Sequence, residues 1–197
     1  MAHDLGQTAS VLLDVPSVRL YQDSVFWKRA GDGPTPWHTD ARMAPFDTSL
    51  ILTFWISLEE VVEDTGLIFC SKSHSDFALP FWNDFEGSEY QRLDERYRHH
   101  SCVNYMPLRL GDVTVHSGWT LHCTDGNVKV NDRVALAISY VDARAEVRED
   151  ALGQSNSGGY GDNEDQWSYK AWVQDIKPRQ QFRHELVPIV WPNESKA

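Results

Sequence analysis

The chain has 197 residues, 41% of them apolar and 12% aromatic, with eight tryptophans. That is a globular composition, sufficient for one domain with a buried core, and it excludes a disordered or fibrous protein. A formal net charge of −11 without any basic run excludes a nucleic-acid partner held through its phosphates.

In chain order, Val18 to Lys28 (VRLYQDSVFWK) is rich in β-branched and aromatic residues and predicts a strand. Gly31 to Pro36 is a loop stiffened by two prolines, and it delivers Trp37-His38-Thr39-Asp40 into a second short strand. Ser49 to Leu58 alternates. Leu50, Leu52, Phe54, Ile56 and Leu58 share an apolar face, while Ile51, Thr53, Trp55 and Ser57 form a mixed one, as a barrel wall beside a pocket needs. Glu63 to Gly66 turns the chain into a strand at Leu67 to Cys70, and Ser75 to His100 reads as loop with some helix. Gly111-Asp112 precedes a strand at Val113 to His116, which Gly118 breaks or bulges before Leu121-His122. After a polar loop at Asn127 to Asp132, Arg133 to Tyr140 alternates again. Its face of Arg133, Ala135, Ala137 and Ser139 is small enough to leave room for a ligand. Residues 150 to 165 are rich in Gly, Ser, Asn and Asp and predict a lid or a surface excursion. Trp167, Trp172 and Trp191 then predict a tail that packs back on the domain. Short strands joined by Gly/Pro turns predict a mainly β single domain over 1–197. The expected fold is a double-stranded β-helix (jelly roll, cupin-like) with a few peripheral helices.

Chemistry concentrates in Trp37-His38-Thr39-Asp40. In an extended segment His38 and Asp40, two apart, leave the same face of the strand. His122 follows about eighty residues later and Arg133 eleven after that. Two imidazoles and a carboxylate that leave one side of a metal open are what a non-haem Fe(II) oxygenase requires. Arg133 is placed to supply a fixed charge for the far carboxylate of 2-oxoglutarate. Taken alone, the His-x-Asp pair is a weak signal. His116 has the wrong spacing to Arg133 for the distal ligand and reads as a supporting or packing residue.

Carried by RLYQDSVFWK, GDGPTPWHTD, the tryptophan-containing strand ending ISLE, Ser73-His74, GDVTVHSGWTLH and NDRVALAISY, the chain resembles the phytanoyl-CoA dioxygenase-like family. The resemblance runs from about Val18 to Pro192, and these enzymes use Fe(II), 2-oxoglutarate and O2, with ascorbate as a possible support. It implies His38, Asp40 and His122 as iron ligands and Arg133 as the partner of the 2-oxoglutarate C5 carboxylate. Thr124 stands where the family often has a serine. Trp55 falls on a tryptophan near the cosubstrate, though a plain core aromatic fits it nearly as well. Lys28 and Ser24 flank the same pocket, and Ser24 stands where the family commonly has glutamine or methionine. Related halogenases replace the aspartate by a small residue, so Asp40 favours hydroxylation, with succinate and CO2 released. The family usually carries several dozen more residues, mostly helical, before the first strand. This chain therefore reads as a shortened member, a fragment or an alternative start. The family's frequent P-G-S-H turn is replaced here by Ser71-Lys72-Ser73-His74.

The expected partner is a small-molecule or lipid-like substrate, and the low basic content disfavours one as anionic as coenzyme A. Residues 75–100 and 143–170 are the expected substrate-facing segments. The sequence carries no signature of oligomeric state, and its most apolar stretch, Leu50 to Leu58, is too short for a membrane span. Cys70, Cys102 and Cys123 lack C-x-x-C spacing, which with the absence of a leader points to a soluble, intracellular and cytoplasmic protein. The ending Ser195-Lys196-Ala197 is similar to a peroxisomal S-K-L tail without its leucine. Two competing readings are a cupin-like Fe or Zn enzyme, which gives Arg133 no task, and a non-catalytic or regulatory module that has kept the fold.

Overall fold

A computed structural model of the chain describes residues 2–62, 65–76, 101–127, 131–148 and 177–192. Most of the expected substrate-facing segments, the glycine-rich stretch 150–165, Trp167, Trp172 and the C-terminal tripeptide lie outside the described residues. Among the described residues the strands form two antiparallel sheets. One has five strands in the order β6-β3-β8-β1-β9 and the other four in the order β2-β7-β4-β5. Their bounds are β1 Val18–Lys28, β2 Thr35–His38, β3 Ile51–Ser57, β4 Leu67–Cys70 and β5 Cys102–Asn104, then β6 Val113–Ser117, β7 His122–Thr124, β8 Arg133–Asp142 and β9 Ile189–Trp191. The mainly β, short-stranded architecture is the one expected. Two compact units divide the chain, one from Met1–Gln22, Ala41–Ile51 and Tyr140–Ala197, the other from Asp23–Asp40 and Leu52–Ser139.

In the first unit an unexpected helix, α1 (Ala2–Leu13), precedes β1. Its buried residues Gly6, Ala9 and Ser10 are small, whereas Val11 and Leu12 are exposed. An apolar stripe at helical spacing therefore does not announce it. A Cβ on Gly6 would stand 3.0 Å from Val190 Cγ2 of β9, so glycine lets the helix lie close on that strand. The helix stops at Asp14, whose φ of 54° is left-handed. The amides of Asp14 and Val15 donate back to the carbonyls of Val11 and Ser10, a Schellman closure. Arg19 is buried with its charge satisfied by the carbonyls of Ala143 and Val187, beside an edge-to-face run of Tyr21, Phe46 and Phe182. Trp191 does return the tail to this unit, in β9 paired with Val18 and against the His3 ring.

In the second unit Trp55, Val61, Leu67, Phe69, Met106, Leu108, Ala135 and Ala137 form a core cluster. It joins β3 and β8 of one sheet to β4 of the other. A Cβ on Gly66 would collide with the Met106 side chain, which is why glycine leads into β4. The segment read as one interrupted strand is two strands in different sheets. β6 ends at Ser117, the Thr120 amide closes a turn on the Ser117 carbonyl, and β7 begins at His122. Among the described residues no helix is long and apolar enough to cross a membrane.

None of the three cysteines is in a disulfide; Cys102 is exposed and Cys70 and Cys123 are buried. Burial pushes the Cys70 thiol up to about 11, which suppresses the reactive thiolate. Iodoacetamide at about pH 8 is expected to label Cys102 in the native protein and to reach Cys70 and Cys123 only on denaturation. Peptide mapping that found native Cys70 labelled as fast as Cys102 would contradict this packing.

Candidate metal centre

β2 and β7 pair antiparallel, with Thr35 opposite Thr124 and His38 opposite His122. Three steps along β2 thus match two along β7, so β2 carries a bulge over Pro36-Trp37. Pro36 has no amide to give to the ladder, which makes it a natural place for that irregularity. The bulge brings the two imidazoles onto one face, their ring centroids 4.2 Å apart. The expectation that His38 and Asp40 share a strand is corrected here. β2 ends at His38 and Asp40 opens a single helical turn, α2 (Asp40–Met43). The two side chains meet because the chain turns between them.

One ligand atom each from His38, Asp40 and His122 lie within 4.8 Å of one another, an arrangement that could hold a metal ion. Asp40 Oδ1 is 3.9 Å from His38 Nε2 and 3.6 Å from His122 Nε2. In each histidine Nδ1 meets the carbonyl two residues earlier, Pro36 at 2.8 Å and Thr120 at 2.9 Å. A carbonyl accepts only, so Nδ1 carries the proton and the Nε2 lone pair is left for a metal. His122 is buried while His38 and Asp40 are about a quarter exposed (28% and 23%), so the cluster is open on their side. Phe69 lies against His116 and His122 and lines the buried side.

The second oxygen of Asp40 is occupied. Thr53 donates its hydroxyl to Oδ2 at 2.7 Å, and His116 Nε2 lies 3.1 Å from the same atom. Thr53 is also 2.9 Å from the Ser139 hydroxyl. These three residues carry no ligand role in the sequence reading. The only signal in the sequence was the alternation that puts His116 on one face of β6 with Thr114; its pairing with Thr53 is seen in the ladder.

Protonation favours cation binding. Burial opposes the charge of Asp40, yet its neighbour His122 and the hydrogen bonds from His116 and Thr53 outweigh it and hold the carboxyl well below its ordinary range. Burial pushes His122 down to about 3, against the pull of Asp40. The pair is a neutral imidazole beside a carboxylate at neutral pH, as a metal requires.

Beyond the cluster, Arg133 heads β8 and is 5% exposed. Its Cζ stacks 5.3 Å from the Trp55 ring centroid, and its Nε is buried without a hydrogen-bond partner among the described residues. An orphaned guanidinium donor of this kind fits a bound anion. Lys28, also buried, directs Nζ to Thr124 Oγ1 at 2.5 Å and to the Asp125 carbonyl at 3.0 Å. Burial, then the nearby charge of Arg133, lowers its pKa. Thr124 Oγ1 accepts from Lys28 and from the Thr35 amide, so its own hydrogen is left to donate. Ser24 is half-buried on β1, on the Lys28 face by strand parity.

Two short-stranded antiparallel sheets, with a His-x-Asp…His cluster on one of them and on the turn that follows, are the double-stranded β-helix fold seen in 2-oxoglutarate oxygenases. The chain matches the phytanoyl-CoA dioxygenase (PhyH) family over residues 1–135, more than half its length, and it belongs to that family. No curated protein matches it in sequence. Among solved structures it is similar to the non-haem alpha-ketoglutarate-dependent carbocyclase SnoK from nogalamycin biosynthesis, with a TM-score of 0.73, 23% identity, and coverage of 95% of this chain and 68% of that one. The epimerase SnoN from the same biosynthesis gives 0.67 and 23% with the same coverages, and a further SnoN structure holds Fe3+, alpha-ketoglutarate and nogalamycin RO. EctD from S. alaskensis, solved with 2-oxoglutarate and 5-hydroxyectoine, gives 0.61 and 18%, covering 73% of this chain and 51% of that one.

The depressed His122 value sets a sign for stability. The unfolded chain takes up a proton near the ordinary histidine value of about 6.5, the folded chain only near 3. Stability of the metal-free protein is therefore full above about 6.5 and falls as pH drops towards about 3. Urea midpoints measured across that window should fall, and less steeply in His122→Gln. Equal slopes would contradict a buried neutral His122.

Proposed function

We propose that the protein is an Fe(II)- and 2-oxoglutarate-dependent dioxygenase that hydroxylates a small-molecule or lipid-like metabolite, releasing succinate and CO2. The observation that carries this reading is the convergence of two Nε2 atoms and one carboxylate oxygen, and the same unit buries an arginine whose Nε lacks a partner among the described residues. His38, Asp40 and His122 would hold the iron. When bound, iron with 2-oxoglutarate and O2 supplies an oxidant able to take a hydrogen atom from a C–H bond.

The chain's own residues have separate tasks. The Pro36 and Thr120 carbonyls hold both histidines in the metal-binding tautomer. Arg133 would take the far carboxylate of 2-oxoglutarate through its fork of donors, and Thr124 would add its hydroxyl hydrogen. Lys28 would bind indirectly, by fixing Thr124 and raising the positive potential around an incoming dianion. Trp55, 4% exposed, holds the guanidinium plane by stacking and keeps water from that side.

A second outcome of the same oxidation is favoured by the relatives named an epimerase and a carbocyclase. In that case the substrate radical would take a hydrogen atom from a reductant such as ascorbate, on the opposite face, or would lose a second hydrogen atom and close a ring. The test is succinate formation from 2-oxoglutarate with Fe(II), O2 and ascorbate, with the co-product analysed by mass. Succinate with a product one oxygen heavier is expected. His122→Ala should abolish turnover, and Arg133→Leu should raise KM for 2-oxoglutarate at least about tenfold, since a buried charge-assisted pair is lost. Wild-type protein that forms no succinate with any metabolite, even uncoupled, would overturn the reading. A product of unchanged mass would favour epimerisation, and one lighter by two hydrogens would favour ring closure.

A further inference from the structure

Around Asp40 the two carboxylate oxygens are treated differently. Oδ1 faces His38 and His122, and Oδ2 faces away into the five-stranded sheet. There Thr53 on β3 and His116 on β6 are direct partners in the strand ladder, so their side chains leave the same face at the same level. Both end on Oδ2, at 2.7 and 3.1 Å. Ser139 on β8 adds a third contact, with its hydroxyl 2.9 Å from Thr53 Oγ1.

The hydrogens in this chain can be assigned. Asp40 is a carboxylate and can only accept, so Thr53 donates its single hydrogen to Oδ2, and Ser139 must then donate to Thr53. His116 Nε2 must likewise carry the hydrogen that reaches Oδ2. Its other nitrogen, Nδ1, is buried with no partner among the described residues, so nothing on that side holds a proton there. His116 thus has the opposite tautomer to His38 and His122, whose Nδ1 atoms are held by carbonyls. Three imidazoles lie close together, the His116 and His122 centroids only 4.5 Å apart. Only two of them keep an Nε2 lone pair for a metal.

We propose that Thr53 and His116, with Ser139 behind them, are positioning residues that commit Asp40 to bind metal through Oδ1 alone. The consequence is an open coordination position. A carboxylate free to rotate can grip a metal with both oxygens and fill a position that a bidentate cosubstrate and O2 need. Two donors on Oδ2 oppose that rotation, because chelation would break both hydrogen bonds in a buried setting. The same donors hold the carboxylate plane towards His38 and His122 before any metal arrives.

This proposal rests on the iron-site reading, and Co(II) as a probe separates the two. Co(II) affinity is read from tryptophan quenching, and its visible absorption reports coordination number and ligand field. Thr53→Val and His116→Leu are expected to weaken Co(II) binding about 10- to 100-fold and to change the visible spectrum. Thr53→Ser and His116→Gln restore a donor and should return both readouts to within about threefold of wild type, an effect that general loss of packing would not reproduce. Ser139→Ala keeps nearly the same volume and reports on the chain even where Thr53→Val fails to fold; it should weaken binding by a smaller factor. Near-ultraviolet circular dichroism of the metal-free proteins checks folding. Folded Thr53→Val and His116→Leu with wild-type affinity and spectrum would overturn the positioning role while leaving the metal site intact. Wild-type protein that binds no Co(II) would overturn the metal site and this inference together.

Discussion

One extra residue in β2 is the constraint on which the site depends. Thr35 stands opposite Thr124, and without the bulge simple alternation would set Trp37 opposite His122 and turn His38 to the other face of the sheet. With it, His38 and His122 stand across from each other. The same strand pair sets Thr124 two residues further along, where its hydroxyl meets Lys28. One register therefore fixes two imidazoles of the candidate metal cluster and the hydroxyl that Lys28 meets.

The rest of the site comes from the other sheet, and the two contributions differ in kind. β2 and β7 offer histidines whose lone pairs are aimed by backbone carbonyls, which side-chain substitution elsewhere does not remove. β3, β6 and β8 offer side chains: Thr53, His116 and Ser139 around Asp40, then Trp55 and Arg133 further out. Burial is what gives these contacts weight. A carboxylate among imidazoles stays ionised because its neighbours outweigh the cost of desolvation, and a buried guanidinium with an idle donor favours an anion because water is not there to satisfy it.

Much of this was legible in the sequence where residue type and periodicity act locally. β1 and β4 have the bounds that their β-branched and aromatic runs imply, and the small-residue face of β8 does carry Arg133 inward. The motif taken together with the family resemblance also singled out His38, Asp40 and His122, which the fold brings together. The reason given for the first pair was wrong, since a strand running through Asp40 is replaced by a bulge and a helical turn. No local pattern specifies a bulge, because it answers to the partner strand. α1 was hidden by small buried residues, and β5 and β9, three residues each, are shorter than any alternation can reveal. His116 was set aside as a ligand on spacing along the chain and read as a supporting or packing residue, without a partner to support. Its role depends on facing Thr53 across β6 and β3, a relation that exists only once the ladder has formed.

The central claim is that His38, Asp40 and His122 hold iron beside an anion held by Arg133. Anomalous X-ray scattering at the iron edge, from crystals prepared without oxygen with Fe(II) and 2-oxoglutarate, tests it most directly. The account predicts one iron peak within bonding distance of His38 Nε2, Asp40 Oδ1 and His122 Nε2, with 2-oxoglutarate reaching from it to the Arg133 guanidinium. An iron peak on other residues, or 2-oxoglutarate bound away from Arg133, would contradict it.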